Sequence, residues 1–296
     1  IKFEYPGLAA LMPRRHDRKD RQAKENRRQN ARSGRADKEP AVYMLTMLTQ
    51  YTGLAGADLA IVLVAVFLAG LIRGFAGFGL SAIVMASAAT RIPPVELIPV
   101  CYLLEGAASL AMFRGGMAHA DMTIVRGLVI CSAIGIPIGL LATTSMDIEL
   151  SRKLALCLIL TLTVAQFFRL SPAFLSTTRG LYASGLAAGI ATGLASVGGM
   201  VIALYVLASQ ASPRQMRASL VMFLAISMFT SLIWLIAYDL MTMQAIWRGV
   251  LMAPVALLGV LAGILLFRPA YEPIYKTVCL MLLALLSAAG LISQFS

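Results

Sequence analysis

The sequence predicts an all-α polytopic membrane protein of about eight transmembrane helices, arranged as two four-span repeats whose first helix is broken by glycines. Three observations carry that prediction. Of the 296 residues, 59% are hydrophobic and only 13% charged, with a mean hydropathy of +0.81; a soluble domain has about twice that share of charge. Apolar runs long enough to cross a bilayer, about 20 residues each, recur along the chain. The stretch AGLIRGFAGFGLSAIVMASAATRIPP, Ala69 to Pro94, also returns 119 positions later without a gap as AGIATGLASVGGMVIALYVLASQASP. Ala69, Gly70, Gly74, Ala76, Gly79, Ile83, Ala89 and Pro94 meet identical residues at Ala188, Gly189, Gly193, Ala195, Gly198, Ile202, Ala208 and Pro213.

Residues 1–43 carry 12 Lys/Arg against 6 Asp/Glu, and their basic run RRHDRKDRQAKENRRQNARSGR has almost no apolar residue, a composition expected to be disordered. They contain no apolar core of a signal peptide. A basic arm could bind anionic lipid or nucleic acid. The expectation here is that the segment is not native, because the chain begins with Ile and because Met44 and Met47 stand as starts before the first span. Residues 44–170 are then the first transmembrane repeat and 171–296 the second.

The first span, Leu59 to Ala89, is too long for one untilted helix, so the glycines from Gly70 to Gly79 are expected to break it. Spans two to four follow at Leu97–Phe113, Ile124–Thr143 and Leu154–Phe168. Span five, Leu181–Ser209, is the second long, glycine-broken run, and spans six to eight lie at Ala218–Tyr238, Ile246–Phe267 and Ile274–Ile292. Pro137 and Pro254 fall inside spans three and seven, where packed neighbours must satisfy the carbonyl that each proline frees. Four spans per half predict parallel halves, whereas re-entrant glycine segments would change both count and symmetry. The loops after odd spans hold seven Lys/Arg (Arg91, Arg152, Lys153, Arg214, Arg217, Arg268, Lys276) and those after even spans five (Arg114, Arg126, Arg169, Arg179, Arg248). That bias places both termini outside the cytoplasm.

Glycine-interrupted segments at matching places in two halves point to a binding site built from broken helices. Gly74, Gly77 and Gly79 let the backbone open, and the half-helix that starts near Ser81 would aim free N–H groups at the break. Gly198 and Gly199 would supply a second N-terminus, and helix N-termini favour anions. The spacings Gly70/Gly74 and Gly189/Gly193 equally fit close helix packing. Arg73 is the basic residue deep in a span; it could hold an anionic substrate, snorkel to an interface, or pair with Glu105. Glu105 is a coupling acid for a proton relay or the structural partner of Arg73. Ser81, Thr192, Ser196 and Tyr205 could donate hydrogen bonds around the breaks or satisfy backbone carbonyls.

Catalysis and cofactors find little support. His16 and His119 are the two histidines, one in the basic arm and one in a loop, and the four cysteines sit in apolar runs without a CxxC pair. No metal, no cofactor and no nucleotide-binding loop is expected.

GFAGFGLSAIV followed by RIPPVELIPV, together with GLAAGIATGLASVGGMVIALYVLASQASPRQMRASLVMF, resembles the two half-motifs of the sulfite exporter TauE/SafE family, over roughly Leu59 to Ile292. The second motif reads SVGGMV here, where many relatives have a form richer in glycine and proline. The resemblance implies a multi-pass transporter of the bacterial inner membrane for sulfite, sulfonates or related small sulfur-containing anions. Its expected partners are that anion and the lipid bilayer, with no nucleic acid. A lipid-modifying membrane enzyme and a passive anion channel are the alternatives.

Overall fold

The computed structural model describes residues 49, 53–54, 56–117, 119–170, 172–208, 212–266 and 272–294. The basic segment 1–43 and its expected character lie outside the described residues. Leu54–Ser296 forms one compact unit. Its described secondary structure is helical throughout: α1 Gly56–Ala76, α2 Leu80–Ala88, α3 Pro94–Met117, α4 Met122–Ser145, α5 Ile148–Phe167, a short 3₁₀ turn Ala173–Ser176, α6 Thr178–Ala195, α7 Gly198–Ala208, α8 Pro213–Ala237, α9 Met243–Leu266 and α10 Glu272–Ile292.

Among the described residues, five helices have stretches long and apolar enough to cross a membrane alone: α1, α3, α4, α8 and α9. The shorter apolar segments are Gly198–Ala208 and Thr277–Ile292. The eight-span expectation included α5, whose first two turns carry Glu149, Arg152 and Lys153, and α6, where four glycines replace larger apolar side chains. Outward faces are apolar, as lipid requires: Ile130, Ile134, Ile138 and Leu141 form an exposed stripe on α4 at helical spacing.

Both glycine segments break as the sequence predicts. Gly77 and Gly79 adopt φ of +82° and +97°, conformations that cost a residue with Cβ dearly, so α1 stops and α2 starts afresh. In the second half Ser196 takes the left-handed corner at φ +58°, with its N–H bonded to the Thr192 carbonyl at 2.8 Å and the Val197 N–H bonded to the Ala191 carbonyl at 3.2 Å.

The chain turns back at the first break. Arg91, beyond α2, pairs with Asp58 in the first turn of α1 at 2.6 Å, so the exit of α2 lies beside the start of α1. Each half therefore contains five helices in the same order, two long ones flanking a short returning one, followed by two more. Directions follow from facing residues. Along α8 and α4, Ser219 meets Asp121, Trp234 meets Ala133 and Tyr238 meets Pro137, so these two helices run parallel. Gly106 on α3 sits against Met228 while Ser219 lies at the far end of α3, so α3 and α8 run antiparallel. Parallel halves were expected from four crossings each; the returning α2 makes the helix count odd, and α3 and its equivalent α8 point in opposite directions.

The most extensive helix pairs are α4 with α6 and α1 with α9, each joining the two halves. Both are glycine seams. Gly70 and Gly74 of α1 face Gly259 and Gly263 of α9, and Gly189 and Gly193 of α6 face Gly135 and Gly139 of α4, each so close that a Cβ would run into the opposite backbone. Pro137 shows how a proline is accommodated: its missing N–H leaves the Ala133 carbonyl without its helical donor, and the Trp234 indole N–H donates to that oxygen at 3.0 Å.

Candidate functional site

The first break is built around a buried charge. Arg73 stands in the last turn of α1, three residues before the break ends the helix, and is 0% exposed, which excludes snorkelling. Its Nε lies 3.0 Å from Glu105 Oε2 on α3, and its Nη2 donates to Ser109 Oγ at 3.1 Å. The Nε contact is an ion pair without hydrogen-bond alignment, and Nη1 has no hydrogen-bond partner among the described residues. A guanidinium carries five donors, so this one is under-satisfied at a buried position where an unmade hydrogen bond is costly.

Glu105 links this cation to the new helix. Its Oε1 accepts from Ser81 Oγ at 2.9 Å and from the Ser81 backbone N–H at 3.3 Å. The N-terminus of α2, expected from the sequence to receive an external anion, thus holds a carboxylate of the protein itself. The Glu105 side chain is 15% exposed, so one edge of the pair reaches out of the packed interior.

Arg217 was not singled out as a site residue in the sequence. Its guanidinium donates to the carbonyl of Gly74, and its Cγ is what a Cβ on Gly77 would meet at 3.0 Å. Position in the chain suggested a loop charge; α8 begins at Pro213, and Arg217 shares a face with the buried Leu220 and Val221. That spacing is the signal that it turns inward.

The second break repeats the backbone without the charges. At the offset of 119, Arg73 becomes Thr192, Ser81 becomes Met200, Glu105 becomes Leu224 and Ser109 becomes Met228. Thr192 Oγ1 donates to the Ala188 carbonyl of its own helix at 2.8 Å. Leu224 stands beside the start of α7, where a Cβ on Gly199 would touch its methyls at 3.4 Å. Gly198 has no room for a Cβ, which would strike Thr192 Oγ1 and the Ala188 carbonyl. The carbonyl of Gly193, the equivalent of Gly74, accepts from Thr143 Oγ1 at 3.0 Å. Gln166, an amide inside an otherwise apolar run of α5, donates to the Met200 carbonyl at 3.2 Å. The sequence reading passed over both Thr143 and Gln166.

The structure therefore gathers Arg73, Ser81 and Glu105 into one cluster, with Gly74 and Gly77 held by Arg217. Thr192, Ser196 and Gly198 form a separate corner. The two breaks adjoin through Phe78, whose Cβ would lie 3.8 Å from a Cβ on Gly199. Tyr205 is buried on α7. A cavity of about 250 Å³ opens where α3 begins and α4 ends, walled by Pro93, Pro94, Thr144 and Ser151, and by Thr143, which also holds the second break. Among the described residues, no group of His, Cys, Asp and Glu could hold a metal ion.

Comparison with known families gives one match: the family described as Sulfite exporter TauE/SafE, over residues 62–290. No curated protein and no solved structure matches the chain.

Proposed function

This chain belongs to the sulfite exporter TauE/SafE family of membrane transporters, and from that premise we propose that it is a secondary carrier moving a small oxyanion across the bacterial inner membrane. Sulfite, a sulfonate or a related sulfur-containing anion is the substrate class. A transporter family sets aside the lipid-modifying enzyme considered from the sequence.

One observation carries the reading: a fully buried arginine beside a helix break, with a guanidinium nitrogen that no group among the described residues satisfies. A planar guanidinium fits a tetrahedral or pyramidal oxyanion through paired donors. Arg73, Ser81 and the open backbone at Gly77 and Gly79 form the anion's side of the site. Gly198 and Gly199 bring the second half's backbone up to it. Thr192 and Ser196 hold the second corner in shape.

The halves act as inverted repeats related by an axis in the membrane plane, which suits alternating access by rocking one unit against the other. Antiparallel α3 and α8 support this, as do the exchanged pairings of α1 with α9 and of α6 with α4. With returning α2 and α7, the basic residues divide more unevenly than in an eight-span count. Arg114, Arg126, Arg169, Arg179, Arg214, Arg217, Arg268 and Lys276 follow α3, α5, α7 or α9, while Arg91, Arg152, Lys153 and Arg248 follow α2, α4 or α8. The richer side is cytoplasmic and both termini face the periplasm. The cavity at the start of α3 then opens towards the periplasm and is a path to the second break.

The test is uptake of radiolabelled sulfite into vesicles containing the purified protein. Saturable flux that speeds up when the vesicles are preloaded with unlabelled sulfite supports a carrier. Linear flux without that acceleration indicates a channel, and no flux with sulfite, thiosulfate, taurine or sulfoacetate removes the proposal.

A further inference from the structure

Resting on that carrier reading, we infer that Glu105 is a resident competitor of the transported anion, and that its protonation clears the site, so that anion binding is coupled to the uptake of one proton. Glu105 occupies both elements that would hold an oxyanion: the cation of Arg73 at 3.0 Å, and the start of α2 through the N–H and hydroxyl of Ser81. A second anion beside an ionised Glu105 would place two negative charges against one guanidinium in a poorly screened site, which is unfavourable. A proton on Glu105 removes its charge, weakens its hold on Arg73, and leaves the guanidinium to the incoming oxyanion. Arg73 Nη1, buried and unpartnered, is the donor already free for it.

The surroundings leave this role to Glu105. From α1 the charged group facing it is Arg73, and from α2 the facing polar group is Ser81. On α3 itself Cys101 lies one turn away, its thiol directed to the Ser81 carbonyl at 3.9 Å. From α8, Arg217 is engaged with the Gly74 carbonyl. From α9, Arg248 pairs with Glu96 at 2.6 Å. The proton comes through the edge that leaves the Glu105 side chain 15% exposed, and it leaves by the same edge when the anion has gone. The second break cannot do the same, because Leu224 stands in the equivalent place.

The experiment uses thiosulfate and methanesulfonate, whose own charges stay constant from about pH 8 to about pH 5, so that any pH dependence belongs to the protein. Affinity is measured by calorimetry on the purified full chain. The wild type should bind roughly tenfold tighter for each pH unit lowered, until Glu105 is protonated. Glu105→Gln, a permanent imitation of the protonated acid, should bind more tightly than the wild type at about pH 8, with a flat pH profile. If Glu105→Gln fails to fold, calorimetry of the wild type in buffers of different ionisation enthalpy should report the uptake of about one proton for each thiosulfate bound at about pH 8, and binding without proton uptake overturns the inference. Wild-type binding that does not change with pH overturns the inference and leaves the carrier reading standing. A folded Glu105→Gln that binds more weakly than wild type also overturns it, since the carboxylate would then orient Arg73 for the anion. Failure of the wild type to bind either probe or sulfite at any pH defeats the carrier reading and this inference together.

Discussion

The two helix breaks share a backbone and differ in chemistry. Each has a left-handed residue at its corner, Gly77 or Ser196, and a short returning helix two or three residues later. The helix before each break is locked by glycines against a helix of the other half. The equivalent carbonyls, of Gly74 and Gly193, are each capped by a side chain from elsewhere, Arg217 in one case and Thr143 in the other. Beyond this frame, the first break concentrates Arg73, Glu105, Ser81 and Ser109, where the second has Thr192, Leu224, Met200 and Met228. Duplication supplies the architecture twice, while charge has been placed in one copy. On the proposed reading, a single substrate would meet a polar wall and an apolar one, which is a means of binding it without holding it too tightly.

The largest expected effect tests where the charge matters. Arg73→Gln strands the Glu105 carboxylate beside α2 and should destabilise the protein by about 3–5 kcal/mol, with loss of anion binding. Adding Glu105→Gln should recover most of the stability, read as thermal unfolding in detergent, and none of the binding. If the double variant regains both, Arg73 serves only to neutralise Glu105. The same substitution at the second break, Thr192→Gln, removes no charge and should leave anion affinity within a few-fold of wild type.

Next in size is a test of the shared frame. Gly74→Ala and Gly193→Ala each place a Cβ against an opposite backbone, at Val260 and Gly263 for one and at Ile136 and Leu140 for the other. Overpacking of this kind costs about 1–3 kcal/mol, and the two losses should agree within about 1 kcal/mol. Unfolding temperatures that drop sharply for one variant and not for the other would break the comparison of the two seams.

Much of this frame was legible in the sequence. The breaks were placed by matched glycines, which supply φ above zero at the first break, whereas at the second Ser196 takes that corner; the seams were placed by glycine spacing. Arg73 and Glu105 stood out because charge inside an apolar span has to be explained. The return of α2 was not legible: nine apolar residues after a glycine corner read as the second half of a span, and the ion pair of Asp58 with Arg91 that fixes the direction joins positions 33 apart. Arg217 and Thr143 were missed for a related reason. Each caps a backbone carbonyl from a different helix, and such partners are set by packing between halves rather than by local pattern.

The next test separates strain from crowding. Gly79 has φ +97° with nothing closer to a new Cβ than Ile72 and Cys279, at 3.7 and 3.6 Å, whereas Gly198 has no space. Gly79→Ala should therefore cost about 1–2 kcal/mol through backbone strain alone, and Gly198→Ala should cost more. Gly79→Leu should still insert and fold yet lose transport, since a branched side chain would fill the room where an anion approaches the backbone. Normal vesicle uptake by Gly79→Leu would place the site elsewhere.

The smallest expected effect is at the residue that replaces Arg73. Thr192 Oγ1 spends its hydrogen on the Ala188 carbonyl, which as a helical oxygen has a backbone donor as well. Thr192→Val keeps the shape and removes that one bond, so the loss in stability should stay below about 1 kcal/mol. The methyl that replaces the hydroxyl lies against Gly198, where space is shortest, and this contact sets the upper end of the cost. Anion affinity and vesicle uptake should match the wild type, because the hydroxyl hydrogen of Thr192 is spent within its own helix. A tenfold loss of thiosulfate affinity in a normally stable Thr192→Val would mean that the hydroxyl turns to the anion during transport. The second break would then bind the substrate as directly as the first, and the division into a charged wall and an apolar one would have to be withdrawn.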